Sequence, residues 1–258
     1  MKLTFLGSCS GTEPMPGRHH CSFVIESAGK VYFFDAGENC AYTAFTLGID
    51  VTKMEKIVIS HPHIDHVGGL PNLLAVVRKM ISRYKITLDH DIDVYISDLT
   101  ALEGAKLMLK AGEAHYETSM KVNGHIIDVG LVFDDGNMRV TSCGNTHLKP
   151  REDGKVLSYS FLIECEGKTI LYTGDIGHIS EVRQWLGQCD LLIMETGHHM
   201  AEEVAGWLYE NSFCPPQVWF NHHGRAMLAD PQGQVALARK ALGSENVFYS
   251  NDGQSLML

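Results

Sequence analysis

Between a predicted strand that ends at Ser60 and a predicted helix that begins after Gly68-Gly69, the chain carries His61-Pro62-His63-Ile64-Asp65-His66. A solvated loop rarely concentrates three imidazoles and a carboxylate in six residues. In extended backbone, alternate side chains point the same way, so His61 and His63 face one point. Two imidazoles there can reach a single ion at roughly 2.0–2.1 Å. Asp65 and His66 follow the turn and can face a second ion, and the two glycines permit backbone geometry that a Cβ would forbid. The segment therefore asks for an α/β fold with a strand-to-helix ligand loop. It also asks for further ligands from elsewhere, because four side chains do not satisfy two ions.

Candidates for those ligands stand after other predicted strands. His147 lies in CGNTHLKP, Asp175 in YTGD and His222 in VWFNHHG. α/β folds gather their sites at the carboxyl ends of strands, and a carboxylate such as Asp175 can bridge two ions. In the first half, strands are expected over Leu3–Leu6, Cys21–Glu26, Val31–Phe34, Lys56–Ser60 and Asp93–Ser97. Leu70, Leu73, Leu74, Val77 and Ile81 recur at helical spacing, and Thr100–Lys110 reads as a second helix. Residues 111–137, with glycines at 112, 124, 130 and 136, read as an irregular connection between two halves. Beyond it come strands over Arg139–Cys143, Leu157–Glu164, Lys168–Tyr172, Leu191–Met194, Val218–Phe220, Val247–Tyr249 and Leu256–Leu258. Helices are expected over Ser180–Leu186, Ala201–Tyr209 and Pro231–Leu242.

FVIESAGK (23–30) and FLIECEGK (161–168) match at Phe, Ile, Glu, Gly and Lys, and each precedes an apolar strand. The pairing suggests two similar halves, about 1–125 and 126–258. Each would be a sheet covered by helices, giving one domain built as a four-layer αββα sandwich.

Composition narrows the function. The formal charge is −10 over 258 residues, with no basic run. That disfavours a long grip on nucleic acid, which needs Lys and Arg against phosphates, but not a small anionic or ester substrate. Seven scattered cysteines without a CxxC suggest reduced thiols in a cytoplasmic protein. No apolar run approaches membrane-spanning length, and MKLTFLGSCSG reads as a first strand rather than a signal peptide. The oligomeric state is not fixed, and a homodimer is one option.

The series HxHxDH, a lone His, a GD and a His after a strand resembles the metallo-β-lactamase superfamily of metal-dependent hydrolases. The likeness is greatest to its ribonuclease Z-like branch, whose N-terminal strand and glycine-rich loop LTFLGSCSGTEPMPGR also resembles, as do FFDAGE and SNDGQSLML. The resemblance implies two divalent ions, zinc first, with manganese, iron or nickel also compatible with such ligands. His61, His63 and His147 would hold the first ion, Asp65, His66 and His222 the second, and Asp175 would bridge. A metal-bound hydroxide would attack a phosphorus or carbonyl centre. Asp65 would orient it, and His198, with His199 as rival and Glu195 orienting either, would protonate the leaving group. Asp35 matches a position that braces the ligand loop. His19, His20, His178 and His223 read as exposed or supporting residues, and Arg225 as a surface cation or an anion contact.

One departure bears on the substrate. Ribonuclease Z carries a long tRNA-gripping arm between the lone His and the GD aspartate, whereas here only 28 positions separate His147 from Asp175. An armless acidic chain suits a small phosphodiester, such as a cyclic nucleotide, better than tRNA. A lactone or thioester hydrolase and an iron-dependent oxidoreductase on the same fold are the alternatives. His63 argues against a diiron site, which tends to carry a carboxylate there. A non-catalytic sensor would lack ligands, and none is lacking here.

Overall fold

The two matching segments fold as two-residue hairpins. β2 (Ser22–Ser27) meets β3 (Lys30–Phe34) at the pair Ser27 and Lys30, and β9 (Tyr159–Cys165) meets β10 (Lys168–Tyr172) at Cys165 and Lys168. The turn residues are Ala28 and Gly29, at φ 48° and 78°, and Glu166 and Gly167, at φ 50° and 73°. Positive φ at both central positions gives the turn the twist that flanking strands require.

The computed structural model describes residues 1–13, 15–112 and 119–258, and the chain divides into two compact units. The first comprises Met1–Gly7, Gly17–Ile127 and Asp252–Leu258; the second comprises Ser8–Pro16 and Asp128–Asn251.

The first unit carries a seven-stranded sheet. Its order is β14 (Ser255–Met257), β1 (Lys2–Gly7), β2, β3, β4 (Met54–Val58), β5 (Ile92–Ile96) and β6 (Val122–Ile126). The second unit carries another, in the order β13 (Val247–Tyr249), β12 (Gln217–His223), β11 (Leu191–Thr196), β10, β9, β8 (Met138–Gly144) and β7 (Gly130–Asp134). Both run antiparallel up to and through the hairpin, then parallel: β3 to β6 in one, β10 to β13 in the other. The two sheets thus match strand for strand.

Helices cover one face of each sheet. In the first unit these are α1 (Cys40–Thr46), α2 (Ile64–Val67), α3 (Leu70–Tyr84) and α4 (Thr100–Gly112). Leu70, Leu73, Leu74, Val77 and Ile81 are buried on α3 against a core that includes Val24, Phe33, Ile57 and Val94. Truncating one such leucine to alanine costs about 2–5 kcal/mol. The second unit has α5 (Arg183–Leu186), α6 (Ala201–Glu210), α7 (Arg225–Ala229) and α8 (Pro231–Leu242). Val204 and Leu208 of α6 and Val235, Ala238 and Leu242 of α8 share a core with Leu171, Leu192 and Phe220. Asp230 caps α8 by accepting from the Gly233 N–H at 2.9 Å, and Gly243 ends it at φ 70°. This is the start-and-stop chemistry expected of a helix.

Three features differ from the sequence expectation. Within 111–137 the described positions form β6 and β7 rather than an irregular connection; residues 113–118 lie outside the described residues. β6, VNGHI, is largely exposed and lacks apolar alternation. It forms on backbone bonds to β5, which composition does not report. α1, α2 and α7 also have no counterpart in the expectation, all being short, and α2 falls within the expected ligand loop. Finally, the helix expected over Ser180–Leu186 opens as a 3-10 turn, Ile179–Val182. Among the described residues, no helix is long and apolar enough to cross a membrane.

Candidate metal centre

The ligand loop of the first unit follows β4. His63 is extended (φ −64°, ψ 150°) and sits just before α2, which carries Asp65 and His66. His61 Nε2 lies 3.0 Å from His63 Nδ1, and the His61 and His66 rings are 4.1 Å apart between centroids. His66 Nε2 lies 3.5 Å from Asp65 Oδ2. His61, Asp65 and His66 are buried, whereas His63 is exposed.

Asp35 organises this loop. It ends β3 at φ 57° and is fully buried. The Ser60 N–H donates to its Oδ1 at 2.7 Å, the Ser60 hydroxyl to its Oδ2 at 2.8 Å, and His66 Nδ1 to Oδ2 at 2.8 Å. A proton on Nδ1 puts the His66 lone pair on Nε2, the atom beside Asp65. That is how a carboxylate prepares an imidazole for a metal. The sequence does not single out Ser60; its one signal is a small hydroxyl residue at the strand end directly before His61. The glycines serve a close approach of two backbones. The Ala36 N–H donates to the His66 carbonyl and the Gly69 N–H to the Ala36 carbonyl, each at 2.8 Å. A Cβ on Gly69 would strike the Gly37 carbonyl oxygen.

In the second unit, the expected ligands His147 and His222 and the expected proton donor His198 converge on Asp175, which is 2% exposed beyond β10. His147 Nε2 lies 3.6 Å from its Oδ2, His198 Nδ1 3.8 Å from its Oδ2 and His222 Nδ1 3.3 Å from its Oδ1. Ligand atoms of Asp175, His198 and His222 all fall within 4.8 Å of one another. Imidazole nitrogens gathered around a buried carboxylate are a donor set that fits a borderline divalent cation.

Glu195, at the end of β11, organises the neighbouring histidines. It accepts from the His198 N–H at 2.8 Å, and its Oε1 lies 3.1 Å from His198 Nδ1. Burial opposes its ionisation, but hydrogen bonds from His198 and His222 outweigh that and hold its carboxyl well below the usual range. The same bond to Glu195 pushes the His198 imidazole up, against partial desolvation. His199 is placed differently: its Nε2 lies 2.8 Å from the Ile176 carbonyl and 3.5 Å from Glu195 Oε1. The His198 side chain is 46% exposed and the His199 side chain 16%. Arg225 is 80% exposed and pairs with Glu13 at 3.0 Å. His223, expected to be exposed or supporting, is fully buried.

The family model for the Anti-Pycsar protein Apyc1 matches residues 1–204. A ribonuclease Z from Methanothermobacter thermautotrophicus is 29% identical over 147 residues, which cover 57% of this chain and 45% of that protein. The chain thus spans less than half the length of that relative. Among solved structures, the metallo-β-lactamase fold protein YhfI from Bacillus subtilis superposes with a TM-score of 0.77 at 19% identity, over 99% of this chain and 98% of that one. Human tRNase Z, short form, superposes with a TM-score of 0.67 at 18% identity, over 100% and 99%. The fold is that of the metallo-β-lactamase superfamily of hydrolases, near ribonuclease Z. Within it, the match to four-fifths of the chain shows that this protein belongs to the Anti-Pycsar protein Apyc1 family.

Proposed function

We propose that the protein is a binuclear metal-dependent phosphodiesterase acting on a small nucleotide-like diester, with cyclic nucleotides as the first class to test. The observation that carries this reading is the convergence of His147, His198 and His222 on the buried Asp175, with Glu195 behind His198. His61, His63, Asp65 and His66 supply the remaining ligands that the family likeness implies. Two bound divalent ions would supply Lewis acidity toward the ester and an acidified water.

The chain's own side chains then have separate tasks. Asp65, on α2, orients the attacking water and accepts its proton. Asp35 keeps His66 in one tautomer. His198, half exposed and held by Glu195, delivers a proton to the departing oxygen.

Substrate size is argued from topology. Only the loop after β8, the β9–β10 hairpin and a short loop lie between His147 and Asp175, so no tRNA-gripping arm is built there. The net charge of −10 points the same way.

The test is metal analysis paired with turnover. Protein resupplied with zinc or manganese is expected to hold about two ions per chain. It should hydrolyse bis-p-nitrophenyl phosphate and at least one cyclic mononucleotide, while leaving precursor tRNA intact. His63→Ala and Asp175→Ala should abolish turnover with circular dichroism unchanged. Fully loaded protein that cleaves lactones or thioesters but no diester would overturn the substrate class. Substrate-dependent oxygen consumption by an iron-loaded form would overturn the hydrolytic reading.

A further inference from the structure

His222 occupies an unusual place in its strand. The parallel register of β11 and β12 sets Glu195 opposite Asn221, then Thr196 opposite His223, so His222 is an extra residue with no partner position. It is a bulge, and its φ is 50°. The left-handed region is disfavoured for a non-glycine residue, so the surroundings must hold it there. Bulges commonly re-aim a side chain, and this one turns the ring to within 3.3 Å of Asp175.

The residue that follows is clamped on every side. The His223 N–H donates to the Ser8 carbonyl at 2.7 Å, and its own carbonyl accepts from the Ser10 N–H at 3.1 Å and the Ser10 hydroxyl at 2.9 Å. His223 Nε2 lies 3.0 Å from the Ser250 carbonyl, which can only accept, so Nε2 carries the proton. Nδ1 lies 3.1 Å from the Thr196 hydroxyl. The ring therefore ties β12 to both β11 and the segment after β13. On the other side of the bulge, Asn221 Oδ1 accepts from the Ser250 hydroxyl at 2.6 Å. Gly197 leaves room for the re-aimed ring, since a Cβ there would come within 2.6 Å of His222 Nδ1.

We propose that His223 is a positioning residue that locks the β12 bulge and so presents the His222 imidazole toward Asp175. The inference rests on reading His222 and Asp175 as metal ligands. The chemistry of the lock is specific: an imidazole that donates to a carbonyl and meets a hydroxyl at fixed separation. Glutamine can reproduce that pair of bonds in part; phenylalanine matches the ring's shape and reproduces neither.

The test compares His223→Phe, His223→Gln and the milder Thr196→Val with His222→Ala, by crystal structure and by titration with cobalt(II) followed in the visible spectrum. In His223→Phe, His222 should leave the left-handed region and its ring should move away from Asp175. Cobalt affinity should fall about 10–100-fold, as for loss of other groups that orient metal ligands, with a spectrum approaching that of His222→Ala. His223→Gln should recover part of the affinity. If His223→Phe does not fold, Thr196→Val decides, with the same changes in smaller measure.

A lowered melting temperature with His222 still at positive φ and a wild-type cobalt spectrum would reduce His223 to a structural role and overturn the proposal. Wild-type protein that takes up no cobalt would instead remove the metal reading. The crystal structures would then decide the role of His223 on the position of His222 alone.

Discussion

Asp35 shows how much one side chain can settle. Its carboxylate receives a backbone N–H, a hydroxyl and an imidazole, all from the loop that carries the histidine motif. Asparagine tolerates the left-handed backbone at this position and keeps the shape, but it sets an amide N–H against one of those donors. Asp35→Asn is expected to destabilise by about 1–3 kcal/mol, the cost of an unmet buried polar group. It should also lower metal affinity about 10–100-fold. Chemical denaturation and a competitive zinc titration check the two effects separately. Unchanged affinity would mean that Asp35 supports the loop without preparing His66.

At the scale of elements, the paired hairpins give a matched prediction. Gly29 and Gly167 have open space where a Cβ would stand but positive φ, whereas Ala28 and Glu166 hold positive φ with a side chain. Alanine at Gly167 should therefore destabilise by about 0.5–1 kcal/mol, and glycine at Glu166 should be neutral or stabilising. The same signs should appear at Gly29 and Ala28 in thermal melts. Opposite signs in the two hairpins would undermine their equivalence.

The parallel strands β4, β5 and β6 are also joined by charge. Asp93 on β5 accepts from Lys56 on β4 at 2.7 Å and from Asn123 and His125 on β6 at 3.0 Å each. Burial works against its ionisation, but these partners prevail and bring its pKa down to about 2. A carboxylate with a depressed folded pKa stabilises the protein above its unfolded pKa, and that contribution fades as pH falls toward the folded value. Asp93→Asn should therefore melt below wild type at pH 7, with the gap narrowing between about pH 4 and pH 2. A gap that stays constant over that window would show that the charge of Asp93 contributes nothing.

For the whole molecule, the proposed metal binding would be tied to stability. An ion that binds the folded chain alone stabilises it by about 2.7 kcal/mol at a hundredfold excess over its dissociation constant. Chelation is expected to lower the melting temperature, and resupply of zinc or manganese to restore it. His63→Ala and Asp175→Ala should each blunt that response. A melting temperature indifferent to chelator would weigh against the metal reading as a whole.

The candidate site residues were legible in the chain because they stand at the ends of apolar runs and concentrate rare side chains. The duplicated hairpin was legible too, since a two-residue turn leaves a local pattern in composition. The exposed edge strand β6 was not, because its pairing depends on a neighbouring backbone rather than on the strand's own apolar residues. Nor was the role of Ser60, whose hydroxyl meets Asp35 from 25 residues earlier. The sequence alone determined which side chains were available: the histidines, Asp65, Asp175 and Glu195, each after an apolar run. Tertiary structure decided the tautomer of His66, the bulge that turns His222 and the choice of His198 over His199 as the more open imidazole. These depend on bonds between residues distant in the chain, and local propensity carries no record of which distant carbonyl, hydroxyl or carboxylate will be there to meet them.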